Sequence, residues 1–111
     1  MKLTQLQMVL AIADKGSLRA AARELSITQP SLTHSLGELE RELGATLFER
    51  HARGMAPTPV GEVFLRRAAV IDNDARRARD EVAQFLGNDQ GEVVICLSVV
   101  AHLVLLPMAL P

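Results

Sequence analysis

Three observations predict a mainly α fold: a winged helix-turn-helix, one long helix, and then the first strand and helix of a truncated α/β domain. Residues 17–53 hold two short helical stretches parted by a tight break and followed by two extended pieces around a glycine-containing basic tip. After Gly61 no glycine or proline interrupts the chain until Gly87, so a helix there can reach about 40 Å. Beyond the run Gly87-Asn88-Asp89-Gln90-Gly91, a hinge by composition, the chain becomes almost continuously apolar.

Composition bounds the possibilities. A chain of 111 residues, 49% hydrophobic, suffices for one modest core and a piece of another domain. The net charge of −1 does not advertise a nucleic-acid partner, so such a function must rest on a local basic surface. The single cysteine, Cys96, lies in an apolar run, which excludes a disulfide framework within the monomer and suits a reducing cytoplasm. Met1-Lys2-Leu3-Thr4-Gln5 carries no signal-peptide pattern, so a cytoplasmic location is expected.

The first helix is expected to begin at a capping box, Thr4-Gln5-Leu6-Gln7, with Leu3 and Met8 as a hydrophobic staple. Leu6, Leu10 and Ala13 would line its core face, Met8, Val9 and Ile12 would widen it, and Gly16 would end it. Ser17 is an N-cap for the next helix, where Ala22 permits close crossing, and Leu25-Ser26-Ile27 breaks it. Thr28 caps the following helix, and Pro30 falls in its first turn, where a missing N–H has no intrahelical partner to lose. Leu32, Leu36, Leu39 and Leu43 recur at helical spacing and face a core. That leaves Gln29, Pro30, Ser31, Thr33 and His34 outward. An ordinary surface helix would more often carry Glu and Lys there, whereas small hydrogen-bonding residues suit base edges in a major groove. Gly37 costs about 1 kcal/mol against alanine, so it is either tolerated by packing or permits close approach to that face. Gly44 ends the helix.

Thr46 to Arg50 and Met55 to Thr58 flank His51-Ala52-Arg53-Gly54 as a small hairpin, or wing. Arg50 and Arg53 supply the compact basic feature that the net charge conceals, and with Lys2, Lys15 and Arg19 they suit phosphates or a narrow minor groove. Thr58-Pro59 restarts a helix. Along it Phe64, Ala68, Ile71, Ala75, Ala78, Val82 and Phe85 alternate spacings of four and three, a heptad seam. Arg66, Arg67, Asp72, Asp74, Arg76, Arg77, Asp80 and Glu81 would be its solvent and partner charges, and self-association into a homodimer is expected. Residues 92–97 suit a buried strand and residues 98–106 an apolar helix. Ser98, His102 and Pro107 interrupt the apolar run and no basic cluster flanks it, which argues against a membrane span. The expected division is 1–58 winged helix-turn-helix DNA-binding domain, 59–87 long dimerisation helix, and 88–111 hinge and start of a truncated α/β domain.

With these residues in view, the chain resembles the N-terminal part of a LysR-type transcriptional regulator. The resemblance is carried by Gly16-Ser17-Leu18 with the alanine run, Thr28-Gln29-Pro30-Ser31-Leu32-Thr33, Leu39-Glu40 with Leu43-Gly44, Leu47-Phe48-Glu49-Arg50, Arg53-Gly54 and Thr58-Pro59-Val60-Gly61. It implies a sequence-specific DNA-binding dimer on double-stranded operator DNA, a tetramer for the full-length protein, and a two-lobed C-terminal domain that binds a small-molecule co-inducer. The implied DNA-binding set is Ser17, Arg19, Thr28, Gln29, Pro30, Ser31, Thr33, His34, Arg50 and Arg53, and Ser98 would lie near the effector pocket. The chain is then expected to be a fragment. No cofactor is expected. The histidines, His34, His51 and His102, are scattered without acidic partners at triad or metal spacing, so an enzyme is not expected. The alternative is a protein-interaction module that uses the heptad helix and the apolar C-terminal segment.

Overall fold

The computed structural model describes residues 1–87. Helices α1 (Leu3–Lys15), α2 (Leu18–Leu25) and α3 (Gln29–Leu43) precede a hairpin of β1 (Phe48–His51) and β2 (Gly54–Pro57), and α4 (Pro59–Gly87) follows. This is the winged helix-turn-helix and long helix that the sequence predicts. The expected strand and helix of an α/β domain, with Ser98, lie outside the described residues. Residues Met1–Asn73 form one compact unit, and α4 runs from it into a second that begins at Asp74.

The core of the first unit is aliphatic. Leu6, Val9, Ala11 and Ile12 of α1 meet Leu18, Ala21 and Ala22 of α2, Leu32, Leu36 and Leu39 of α3, and Leu47, Phe48 and Ala68. Val9 and Ile12 therefore sit at its centre, while the expected Leu10 and Ala13 are only half-buried at its margin. Leu43, in the last turn of α3, is exposed rather than buried.

Most helix ends follow local chemistry. Ser17 Oγ accepts from Ala20 N–H at 3.2 Å, and Thr28 Oγ1 accepts from Ser31 N–H at 3.2 Å. Gly16 and Gly44 take the left-handed conformation at φ 69° and 72°. Ser26 does so at φ 59°, and the turn it makes is closed by Ile27 N–H on the Ala22 carbonyl at 3.0 Å. The start of α1 differs from expectation. The helix begins at Leu3 behind an extended Lys2, and Gln5 Oε1 accepts from Lys2 N–H at 2.8 Å, so Thr4 is already helical. Gln5 Nε2 then donates to the Ser35 carbonyl of α3 at 3.4 Å, which gives this buried amide a partner at each end.

The wing is held by backbone. Strands β1 and β2 pair antiparallel with Phe48 opposite Pro57 and His51 opposite Gly54. Met55 N–H donates to the Gly16 carbonyl at 2.9 Å, and a Cβ at Gly54 (φ 132°) would collide with that same carbonyl oxygen. At the base, Leu47 N–H donates to the Glu40 carboxylate at 2.7 Å and Thr58 N–H to the Leu47 carbonyl at 3.0 Å. The Thr58 hydroxyl donates to the Thr46 carbonyl at 2.6 Å and accepts from Gly61 N–H at 2.9 Å. Gly61 is required here because a Cβ would overlap the Leu47 carbonyl oxygen.

Helix α4 corrects the heptad expectation at its N-terminal end. Ala68 is fully buried in the protomer's own core, with Phe64 half-buried against it, because the first turns of α4 cover the winged domain. Ala68 is therefore not open to a second helix, and Phe64 is open only in part. Asp72, expected in solvent, is 4% exposed and accepts from Gln7 Nε2 at 3.2 Å. In the same unit Ile71 stays exposed. Farther along, Ala75 is half-buried and Ala78, Val82 and Phe85 are exposed.

Two glycine-to-alanine substitutions should have opposite signs. Gly61→Ala forces a methyl against backbone and should lower stability by about 1–3 kcal/mol. Gly37→Ala, in a helical site where the added Cβ makes only an ordinary 3.5 Å contact with Arg41 Nη1, should raise it by about 0.4–1 kcal/mol. Urea midpoints of the two variants against the parent measure both.

Candidate nucleic-acid interface

Leu32, Leu36 and Leu39 turn one side of α3 into the core, and the cap at Thr28 starts the helix so that its first turn stands clear. Gln29, Pro30, Ser31, Thr33 and His34 are all exposed, as is Thr28. The patch offers an amide, hydroxyls and an imidazole, groups that can donate and accept hydrogen bonds. His34 Nε2 lies 3.3 Å from Glu38 Oε2, which holds the imidazole along the helix axis.

Cationic groups stand on the neighbouring elements of the same unit. Arg19 on α2, Arg50 on β1 and Arg53 in the hairpin turn are exposed and make no ion pair among the described residues. Lys15 is committed to Glu24 at 3.3 Å, so it is less available than the sequence suggested. Ser17 is half-buried and spends an acceptor site on capping α2. On the wing, His51 Nε2 and Glu49 Oε1 are 3.9 Å apart. Among the described residues no group of acidic, histidine or cysteine side chains could hold a metal ion, and no helix is long and apolar enough to cross a membrane.

Sequence reasoning missed Arg41. It is exposed on α3, and steps of four, three and four from Pro30 through His34 and Gly37 place it on the outward stripe. That spacing was the available signal. It was masked by the acidic residues Glu38, Glu40 and Glu42 on either side, which make the segment look like an ordinary solvated surface.

Comparison with known proteins agrees with this geometry. The sequence profile described as "Bacterial regulatory helix-turn-helix protein, lysR family" matches residues 3–62. The HTH-type transcriptional regulator GbpR of Azospirillum brasilense is 38% identical over 95 residues, covering 86% of this chain and 28% of the relative. The small neutral protease regulatory protein of Streptomyces coelicolor is 48% identical over 82 residues, covering 70% and 26%. The chain thus spans about a third or less of the length of such relatives. Among solved structures, the DNA-binding domain of CbnR in complex with DNA superposes with a TM-score of 0.70 at 37% identity, covering 76% of this chain and 97% of that one. The DNA-binding domain of BenM with its benA site 1 DNA gives 0.73 at 30% identity, covering 78% and 97%. With the profile matched over more than half of its length, on a winged helix-turn-helix of this geometry, the chain belongs to the LysR family of bacterial regulatory helix-turn-helix proteins.

Proposed function

We propose that this chain is the operator-binding part of a transcriptional regulator and that it binds double-stranded DNA sequence-specifically as a homodimer. The observation that carries the proposal is the outward face of α3: exposed Gln29, Pro30, Ser31, Thr33 and His34, backed by three core leucines, on the same unit as exposed Arg19, Arg50 and Arg53. In this proposal Gln29 makes a bidentate contact to adenine in the major groove, while Ser17, Thr28 and the arginines contact phosphates, with Arg53 also suited to the minor groove. The solved DNA complexes of CbnR and BenM domains, similar over three quarters of this chain, support it.

Self-association would use α4. Ala68 is committed to the protomer's core and Phe64 partly so, which leaves the seam chiefly to Ile71, Ala75, Ala78, Val82 and Phe85. The division into residues 1–58, 59–87 and 88–111 follows from these roles. A co-inducer site and a tetramer belong to the full-length regulator in this proposal. The exposed Val82, Phe85 and Leu86 also favour a second reading, in which α4 docks another protein and α3 merely packs. Gln29 separates the two, because a scaffold makes no use of it.

Two variants should fail differently on DNA. Gln29→Ala should cost about 1–3 kcal/mol on a duplex selected from random sequence and little on a scrambled one. Arg53→Ala should weaken both and lower the salt slope by about one unit per lost phosphate contact. Titrations on both duplexes at several salt concentrations test this, and parental binding by both variants would favour the scaffold reading. A separate measurement addresses assembly: Ile71→Asp places a charge in the seam and should shift the sedimenting species from dimer to monomer.

A further inference from the structure

The outward stripe of α3 ends in a cation that pairs with no carboxylate among the described residues. Each acidic neighbour of Arg41 is engaged elsewhere: Glu38 lies 3.3 Å from His34 Nε2, Glu40 accepts from Leu47 N–H at 2.7 Å, and Glu42 pairs with the Met1 ammonium at 3.1 Å. Arg41 itself is exposed and makes no ion pair among the described residues. Its side chain runs toward the helix N-terminus, as long helical side chains do, and its Nη1 lies 3.5 Å from where a Cβ of Gly37 would stand. The guanidinium therefore occupies the surface that a side chain at position 37 would otherwise cover. It is brought about one turn closer to His34 and Thr33 than its own Cα.

We propose that Arg41 is a DNA-binding residue whose guanidinium, seated over Gly37, contacts a backbone phosphate at the edge of the groove that α3 enters. The inference rests on the DNA-binding proposal above and adds to it a contact and the residue that positions it. Residues at the start of a recognition helix meet base edges, and a cation one to two turns farther along meets the flanking backbone. A planar guanidinium suits phosphate oxygens through paired N–H donors. A small residue at position 37 leaves room for the guanidinium, which a larger side chain there would displace.

The test uses the 111-residue chain, a duplex selected from a random-sequence pool by the parent protein, and a scrambled duplex of the same composition. Affinities are measured between about 50 and 200 mM salt. Arg41→Ala should weaken binding to both duplexes roughly three- to tenfold and reduce the salt slope by about 0.9, with the ratio of the two affinities unchanged. Gly37→Leu should reproduce that loss although the arginine remains, and Gly37→Ala should bind like the parent. Thermal melting of Arg41→Ala should match the parent, since its side chain is exposed. A parental slope for Arg41→Ala overturns the proposal. So does a loss confined to the selected duplex, which would mean a base contact, and parental binding by Gly37→Leu would overturn the positioning by Gly37. A parent that fails to distinguish the duplexes, at any salt, overturns the sequence-specific reading on which the inference stands, and is recognised by the absence of a selected sequence.

Discussion

The burial of Leu32, Leu36 and Leu39 decides which way α3 faces, and the rest of the molecule follows from that. Burying three leucines contributes on the order of 5–9 kcal/mol, against which no arrangement of exposed polar contacts on the opposite side can compete. Rotating the helix to bring Gln29 or Thr33 inward would expose those leucines and strand an amide or hydroxyl in an aliphatic core. The reading face is thus specified by what lies behind it, and its own side chains are left free to vary with the sequence they meet.

Much of the polar scaffolding works in the same indirect way. Gln5 joins the start of α1 to the Ser35 carbonyl, Glu40 joins the end of α3 to the strand entry at Leu47, and Thr58 joins that entry to α4. Apart from the mid-helix Ser35 carbonyl, the backbone groups they satisfy lie at element boundaries, where helices and hairpins leave donors and acceptors without partners. Among the described residues no buried side-chain nitrogen or oxygen lacks a partner, so the small core loses nothing to unmet side-chain polarity.

What the sequence made legible was local. Ser17, Thr28, Gly16 and Gly44 announce helix ends because their chemistry acts within one turn, and the leucine spacing announces the face of α3. Contacts made at a distance were hidden. Lys2 has no capping side chain, so the helix start was misplaced onto Thr4, and only the reach of Gln5 reveals it. Periodicity showed that Phe64 and Ala68 belong to an apolar stripe without showing that the domain itself covers them. Gly61 looked like an ordinary early-helix residue until the Leu47 carbonyl was found against it. Arg41 was overlooked because charge counting cannot tell which carboxylates are already occupied.

The attachment of the wing at Gly16 bears on how such a domain can change over generations. The hairpin leans on the end of α1 through a backbone donor, Met55 N–H, and through the missing side chain of Gly54. Its inclination is therefore independent of the identities of Ala52 and Arg53 at the tip. Substitution there alters the chemistry offered to a ligand and leaves the angle of approach intact. A lineage can retune its contacts at the tip one residue at a time without passing through a misfolded intermediate, whereas Gly54, whose Cβ would meet the Gly16 carbonyl, can scarcely drift at all.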